Sequence, residues 1–158
     1  MSLETIALIG VLTLLAISVG ADFLWLIVMK PALSQISDRA ALEIMGSIHL
    51  QAIKVMPVIF LIMLTFAVIL NLIPPSRSES YLLRIGLISL AIYFALVLVT
   101  SISIHHGSVS ISNGAESELM IRELQNKWDA ILWFRAIGVL VSYWSFLHYA
   151  LNPKIHRT

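Results

Sequence analysis

Long apolar runs recur four times along the 158-residue chain, with the polar residues gathered between them. A helix needs about 20 apolar residues to cross a bilayer. The first run is Leu3–Met29, broken by a single charge, Asp22. The second is Val55–Ile73, which begins beside Lys54 and Pro57. The third is Tyr81–Ile104, with Arg84 near enough to one end for its head to reach the interface. The fourth is Ala130–Leu151, and it holds Arg135 well inside its first two turns. Backbone groups in lipid must bond within their own segment, so each run is predicted as helix rather than strand. The pattern therefore predicts an all-α protein, an integral membrane four-helix bundle forming a single domain over residues 1–158.

The connections differ in kind. "NLIPPSRSES" (71–80) reads as a tight turn, because Pro74 and Pro75 stop the second helix and polar residues follow. Residues 30–54 form a longer link. Ser37 is a plausible N-cap, and Met45, Ile48, His49, Ala52 and Met56 then share one helical face. The second helix is thus expected to begin near Asp38, outside the membrane core, and to bend near Pro57. In the other long link, 105–128, Asn113 followed by Glu116 resembles a capping box. Ile121, Leu124 and Trp128 then make an apolar stripe opposite Arg122, Glu123 and Lys127, which predicts a short amphipathic helix at the interface running into the fourth span.

Composition strengthens the membrane reading. Apolar residues make up 59% of the chain and charged residues 12%, whereas soluble domains carry about a quarter charged. A net charge of +1 supplies no basic field, which excludes a nucleic-acid partner. The absence of cysteine excludes disulfides, thiolate metal sites and cysteine nucleophiles. The opening "MSLETIALIG" has Glu4 and no basic residue, so the first run is expected to be a retained helix rather than a cleaved signal. With four spans, both termini share a side with the 74–80 turn. Arg77, Arg84, Lys154 and Arg157 crowd that side, while Lys30, Arg39, Lys54, Arg122 and Lys127 are spread over the other. The compact basic side predicts both termini in the cytoplasm of a cell-membrane protein.

The unusual polar groups gather at one end. His49, Lys54, His105, His106, Asn113, Trp128 and Arg135 all lie in or beside the long links, and Asp22 lies toward the same end of the first helix. Intramembrane charges usually face the bundle and pair with one another. Asp22 and Arg135 accordingly admit three readings: a structural ion pair that fixes helix register, contacts to a substrate, or two charges reaching water separately. His49 with His105 or His106 could supply a metal or haem ligand, or a general base, or be solvated helix ends. No HxxxH or HExxH motif is present, and adjacent histidines point about 100° apart on a helix. Phe23, Trp25, Trp128, Trp133, Phe134, Tyr143 and Trp144 suit either an interfacial belt or a pocket for a flat ligand, with Trp128 the best pocket candidate. Gly10, Gly20, Gly86 and Gly138 offer close helix approach.

Several short motifs carry a resemblance. They are Gly20 and Phe23 on a first helix ending at Pro31, "VMP" (55–57) opening the second, and Trp128 followed by Arg135 in "KWDAILWFR". Together they resemble the anthrone-oxygenase-like family of small four-helix membrane proteins, most of unknown function. A few are tied to oxidation of polyketide anthrones to anthraquinones without an obvious cofactor. That family commonly shows a Pro-x-Asn motif before its last helix; here "SISNG" keeps Asn113 but has Ile111 in the proline position. The resemblance implies a polar site built from Asn113, Trp128 and Arg135.

Taken together, the expected site residues are His49, His105, Asn113, Trp128 and Arg135, with Asp22–Arg135 as a structural ion pair. The expected function is binding or oxidation of a small aromatic or lipid-like molecule at the polar end. A histidine could act there as base and an arginine could stabilise the resulting anion. A structural or accessory membrane subunit and a haem- or metal-binding protein are the alternatives. No cofactor is otherwise expected, the bilayer is the surrounding partner, and self-association stays open.

Overall fold

The computed structural model describes residues 1–73, 80–112 and 118–151, and every regular element among them is helical. Helix α1 (Leu3–Leu24) continues through one π turn (Trp25–Met29) into a short α2 (Lys30–Leu33). Helices α3 (Asp38–Leu72), α4 (Ser80–Ser112) and α5 (Glu118–Leu151) complete the chain. The start signals act locally. Ser2 Oγ accepts from the Thr5 N–H, and Ser37 Oγ accepts from the Ala40 N–H, as its N-cap position predicts. At the other end of α3, Ile73 is extended, the conformation imposed by a following proline.

The four long helices form a closed ring. α1 packs on α3 and α5, and α4 packs on the same two, while the α3–α5 diagonal touches less. Each helix presents one inward stripe at spacings of three and four. These are Ala7, Val11, Leu15, Ser18 and Asp22 on α1; Phe60, Met63, Ala67 and Leu70 on α3; Leu83, Leu90, Tyr93 and Val97 on α4; and Leu132, Ala136, Val139, Ser142, Phe146 and Tyr149 on α5. The outward faces are equally apolar: Ile17, Leu24, Ile27, Val58, Leu61, Ile62, Ile88, Ile92, Trp133, Phe134, Ile137 and Trp144 are all exposed. A soluble protein does not expose apolar surface along whole helices. Four segments are long and apolar enough to cross a membrane, namely Leu3–Leu33, Lys54–Leu72, Tyr81–Val99 and Asp129–Leu151. The protein is an integral membrane four-helix bundle.

Lipid removes the hydrophobic drive between helices, so shape must hold them together. A Cβ at Gly86 would stand 2.7 Å from the Phe146 ring, and one at Gly10 would strike Phe66. These glycines let α4 approach α5 and α1 approach α3. Ser142 Oγ donates across the first seam to the Gly86 carbonyl at 2.9 Å.

One expectation needs correction. α4 runs on to Ser112, so His105 and His106 lie within it instead of ending it. The isolated Gly107 lies inside the helix and does not stop it. The amphipathic segment before the fourth span runs into it as expected, forming the first turns of the continuous α5. The Asn113–Glu116 cap lies outside the described residues. Helix α3 contains Pro57 and is one helix of 35 residues, roughly 50 Å long against a hydrocarbon core of about 30 Å. Its first turns, Asp38 to Ile53, precede the spanning segment, as expected for a second helix extended beyond the membrane.

Candidate functional site

Asp22 faces inward because its helix's stripe does. The i+3/i+4 series that buries Val11 and Leu15 continues to Ser18, Asp22 and Leu26, leaving Asp22 only 4% exposed. Across the α1–α5 seam, Arg135 sits beside the buried Ala136 and near Leu132. Its Nη2 donates to Asp22 Oδ1 at 2.6 Å. The two charges are therefore partners, and the reading in which they reach water separately is overturned.

Two further helices join this layer. Tyr93 of α4 places its ring centroid 5.8 Å from the Arg135 guanidinium carbon. Ser18 Oγ donates to the Leu14 carbonyl at 3.0 Å, one turn from Asp22 on the same inward stripe. Phe60 of α3 closes the layer, edge-on to Tyr93 and Phe94 with both centroid distances 5.5 Å. Arg135, Tyr93 and Phe60 each lie six residues inside the upper limits of their spans, Asp129, Val99 and Lys54. Below this layer Ala7, Val11, Leu15, Met63, Ala67 and Val139 form a wholly buried apolar plug.

A second ion pair caps the same seam: Lys30 Nζ meets Asp129 Oδ2 at 2.8 Å. The charges cross over, with acid deep and base shallow on the first helix and the reverse on α5. The π turn makes the crossing possible. Pro31 has no N–H for the Ile27 carbonyl, and its ring would clash with that carbonyl in an α-helix. The backbone instead widens over Trp25–Met29, with the Lys30 N–H bonding the Trp25 carbonyl. Eight α-helical steps from Asp22 would rotate Lys30 roughly 80° off its face; one residue absorbed by the wide turn brings it back to within about 20°. Both charges of the first helix then address α5.

The pair leaves chemistry in hand. Asp22 Oδ2 and Arg135 Nε are buried and have no hydrogen-bond partner among the described residues. One is an acceptor and the other a donor, next to each other at the same ion pair. Buried polar atoms in a membrane carry a desolvation cost unless something meets them.

Of the expected site residues, the structure brings Arg135 to Asp22. His49, His105 and Trp128 stand on α3, α4 and α5, and their side chains, like Asn113 as a whole, lie outside the described residues. Among the described residues no three histidine, aspartate or glutamate side chains come together as a metal-binding group. Trp133, Phe134 and Trp144 face outward, where a belt would place them, while Phe23 and Trp25 pack beside Leu26, Leu132 and Ala136. Tyr93, Ser18 and the Lys30–Asp129 pair were not among the expected residues. Ser18 was readable from the inward stripe; Tyr93 looked like any aromatic in an apolar run. Comparison with protein families, curated proteins and solved structures finds no match to this chain.

Proposed function

We propose that this membrane protein binds a small, largely apolar molecule whose polar group is met by the Asp22–Arg135–Tyr93 layer. The observation that carries the reading is the buried ion pair with an acceptor and a donor left over, Asp22 Oδ2 and Arg135 Nε. Intramembrane ionisable groups facing a bundle interior are the default candidates for a functional site. Phe60, Phe94 and Tyr93 supply aromatic walls beside it. The polar end faces away from the compact basic side, which the charge pattern assigns to the cytoplasm of the cell membrane. Membership of the anthrone-oxygenase-like family belongs to the same proposal. The chemistry would then convert an anthrone methylene to a carbonyl, consuming one O2 and releasing one water, with His49 or His105 as base. Titration of the purified protein with anthrone tests binding by tryptophan quenching. A saturable signal should weaken about tenfold or more when Asp22→Leu and Arg135→Met are combined, since a hydrogen bond to a charged group is worth roughly 1.5–3 kcal/mol. Identical quenching in the folded double variant refutes the reading, and aerobic absorbance of the same sample reports anthraquinone.

A second reading is favoured by one observation: both ion pairs join the same two helices, the first and the last. In that reading the protein is a structural or accessory subunit and the charges lock α1 and α5 in register. It predicts unchanged anthrone quenching together with strong coupling of Asp22 and Arg135 in a stability double-mutant cycle.

A further inference from the structure

The opposite end of the bundle carries a groove that the polar layer does not involve. It lies on the outer seam where α4 begins and α5 ends, has a volume of about 430 Å³, and is lined by Leu82, Trp144, Ser145, His148 and Leu151. Leu82 and Ser145 form its buried floor, and Trp144 and Leu151 are exposed walls at 59% and 70%. Leu82 falls within the span Tyr81–Val99 and the rest within Asp129–Leu151, so the groove faces lipid. Trp144 and Leu151 lie seven residues apart on α5, about 10 Å of helix. Dividing the volume by that length gives a cross-section of roughly 40 Å², about a third to a half that of a helix with a diameter of 10–12 Å. A hydrocarbon chain fits within such a groove.

The polar atoms in the groove are placed at one end. Ser145 Oγ is already committed, donating to the Val141 carbonyl at 2.8 Å. His148 is exposed and three residues, about 4.5 Å, from the end of the span. Its imidazole presents at least one N–H in every protonation state. The Trp144 indole adds a second donor deeper in the groove, in the manner of an interfacial aromatic. Apolar walls with hydrogen-bond donors near the bilayer edge suit an amphipathic molecule with an acceptor head. The chain segments that adjoin this end in sequence carry Arg77, Arg84, Lys154 and Arg157 against Glu4 and Glu79, and Glu4 is held by the Tyr149 hydroxyl at 2.7 Å. This excess of positive charge favours an anionic head.

We propose that this groove is a binding site for one anionic phospholipid, its acyl chain along Leu82, Trp144 and Leu151 and its phosphate at His148. Native mass spectrometry of the full chain, purified in detergent with equimolar dioleoyl phosphatidylglycerol and dioleoyl phosphatidylcholine, tests it. One retained phosphatidylglycerol per protein is expected, preferred about fivefold or more, as a basic end worth one favourable charge contact gives. His148→Leu should lower retention roughly fivefold, the value of one hydrogen bond. Trp144→Ala should lower it about tenfold by removing a wall. Both side chains are exposed, and Leu151→Trp, which closes the groove from its exposed edge, serves as the check should either variant lose its fold. Retention with no headgroup preference, or retention untouched by Trp144→Ala and Leu151→Trp, overturns the proposal as ordinary boundary lipid. A dimer that dissociates in Trp144→Ala overturns it in favour of a second copy on this face.

Discussion

At the end of the bundle where α1 begins, glycine meets phenylalanine; at the end where α1 gives way to its π turn, carboxylate meets guanidinium. The lower half is held by shape. Gly10 receives Phe66, Gly86 receives Phe146, and Ser142 and Asn71 donate to backbone carbonyls of the neighbouring helix. The upper half is held by charge, through Asp22–Arg135 and Lys30–Asp129. The same helices build both halves, so the difference is local. Packing in lipid needs only close approach, and small residues supply it. A buried ion pair adds a desolvation cost that close approach does not require. The charged half therefore carries a desolvation cost that the packed half does not.

The largest way to break this comparison is to strand one charge. Arg135→Ala should destabilise the bundle by about 3–5 kcal/mol, because Asp22 remains buried without its partner. Thermal unfolding in detergent, followed by circular dichroism, reads the loss. Combining Asp22→Leu with Arg135→Met should restore most of that stability, and a double variant as unstable as Arg135→Ala would show that the pair itself holds the fold. The counterpart in the lower half is Gly86→Ala. The added methyl meets the Phe146 ring, and a loss of roughly 1–3 kcal/mol is expected in the same melt. If Gly86→Ala costs more than Arg135→Ala, the bundle is held by shape throughout. Tyr149→Phe removes the hydroxyl that donates to Glu4 and should cost about 0.6 kcal/mol, the average for such bonds in a membrane bundle.

The smallest effect sharpens the role of the π turn. Lys30 and Asp129 are partly exposed, so Lys30→Gln should cost under about 1 kcal/mol. Pro31→Ala removes the reason for the wide turn and lets Lys30 rotate off the α5 face. Lys30→Gln should then have no further effect in the Pro31→Ala background. An undiminished effect there would mean that the π turn does not set the register of the pair.

Much of the architecture was legible because lipid imposes so few solutions. Four apolar runs, the Ser37 cap and the extension of α3 above the membrane follow from spacing and capping chemistry alone. The one-ended gathering of polar residues was also visible, and Asp22 and Arg135 stood out as charges without water. Helix ends were less legible. The two histidines at the end of the third apolar run read as a helix end, yet backbone hydrogen bonding carries α4 past them to Ser112. The link before the last span read as an amphipathic helix running into that span, and α5 is continuous through it. The π turn was hidden because its cause, Pro31, reads equally well as a helix terminator.

The sequence by itself determined that this is a four-span all-α membrane protein with charge buried near one end, since hydropathy and backbone hydrogen bonding leave no other fold in lipid. The tertiary structure alone decided which groups meet. The partnership of Asp22 with Arg135 depends on α1 and α5 closing the ring as neighbours. The entry of Tyr93 depends on three helices reaching the same depth, and the crossed Lys30–Asp129 pair depends on one extra residue in a single turn. Each is a matter of rotation and register between segments far apart in the chain, and periodicity within one segment carries no record of it.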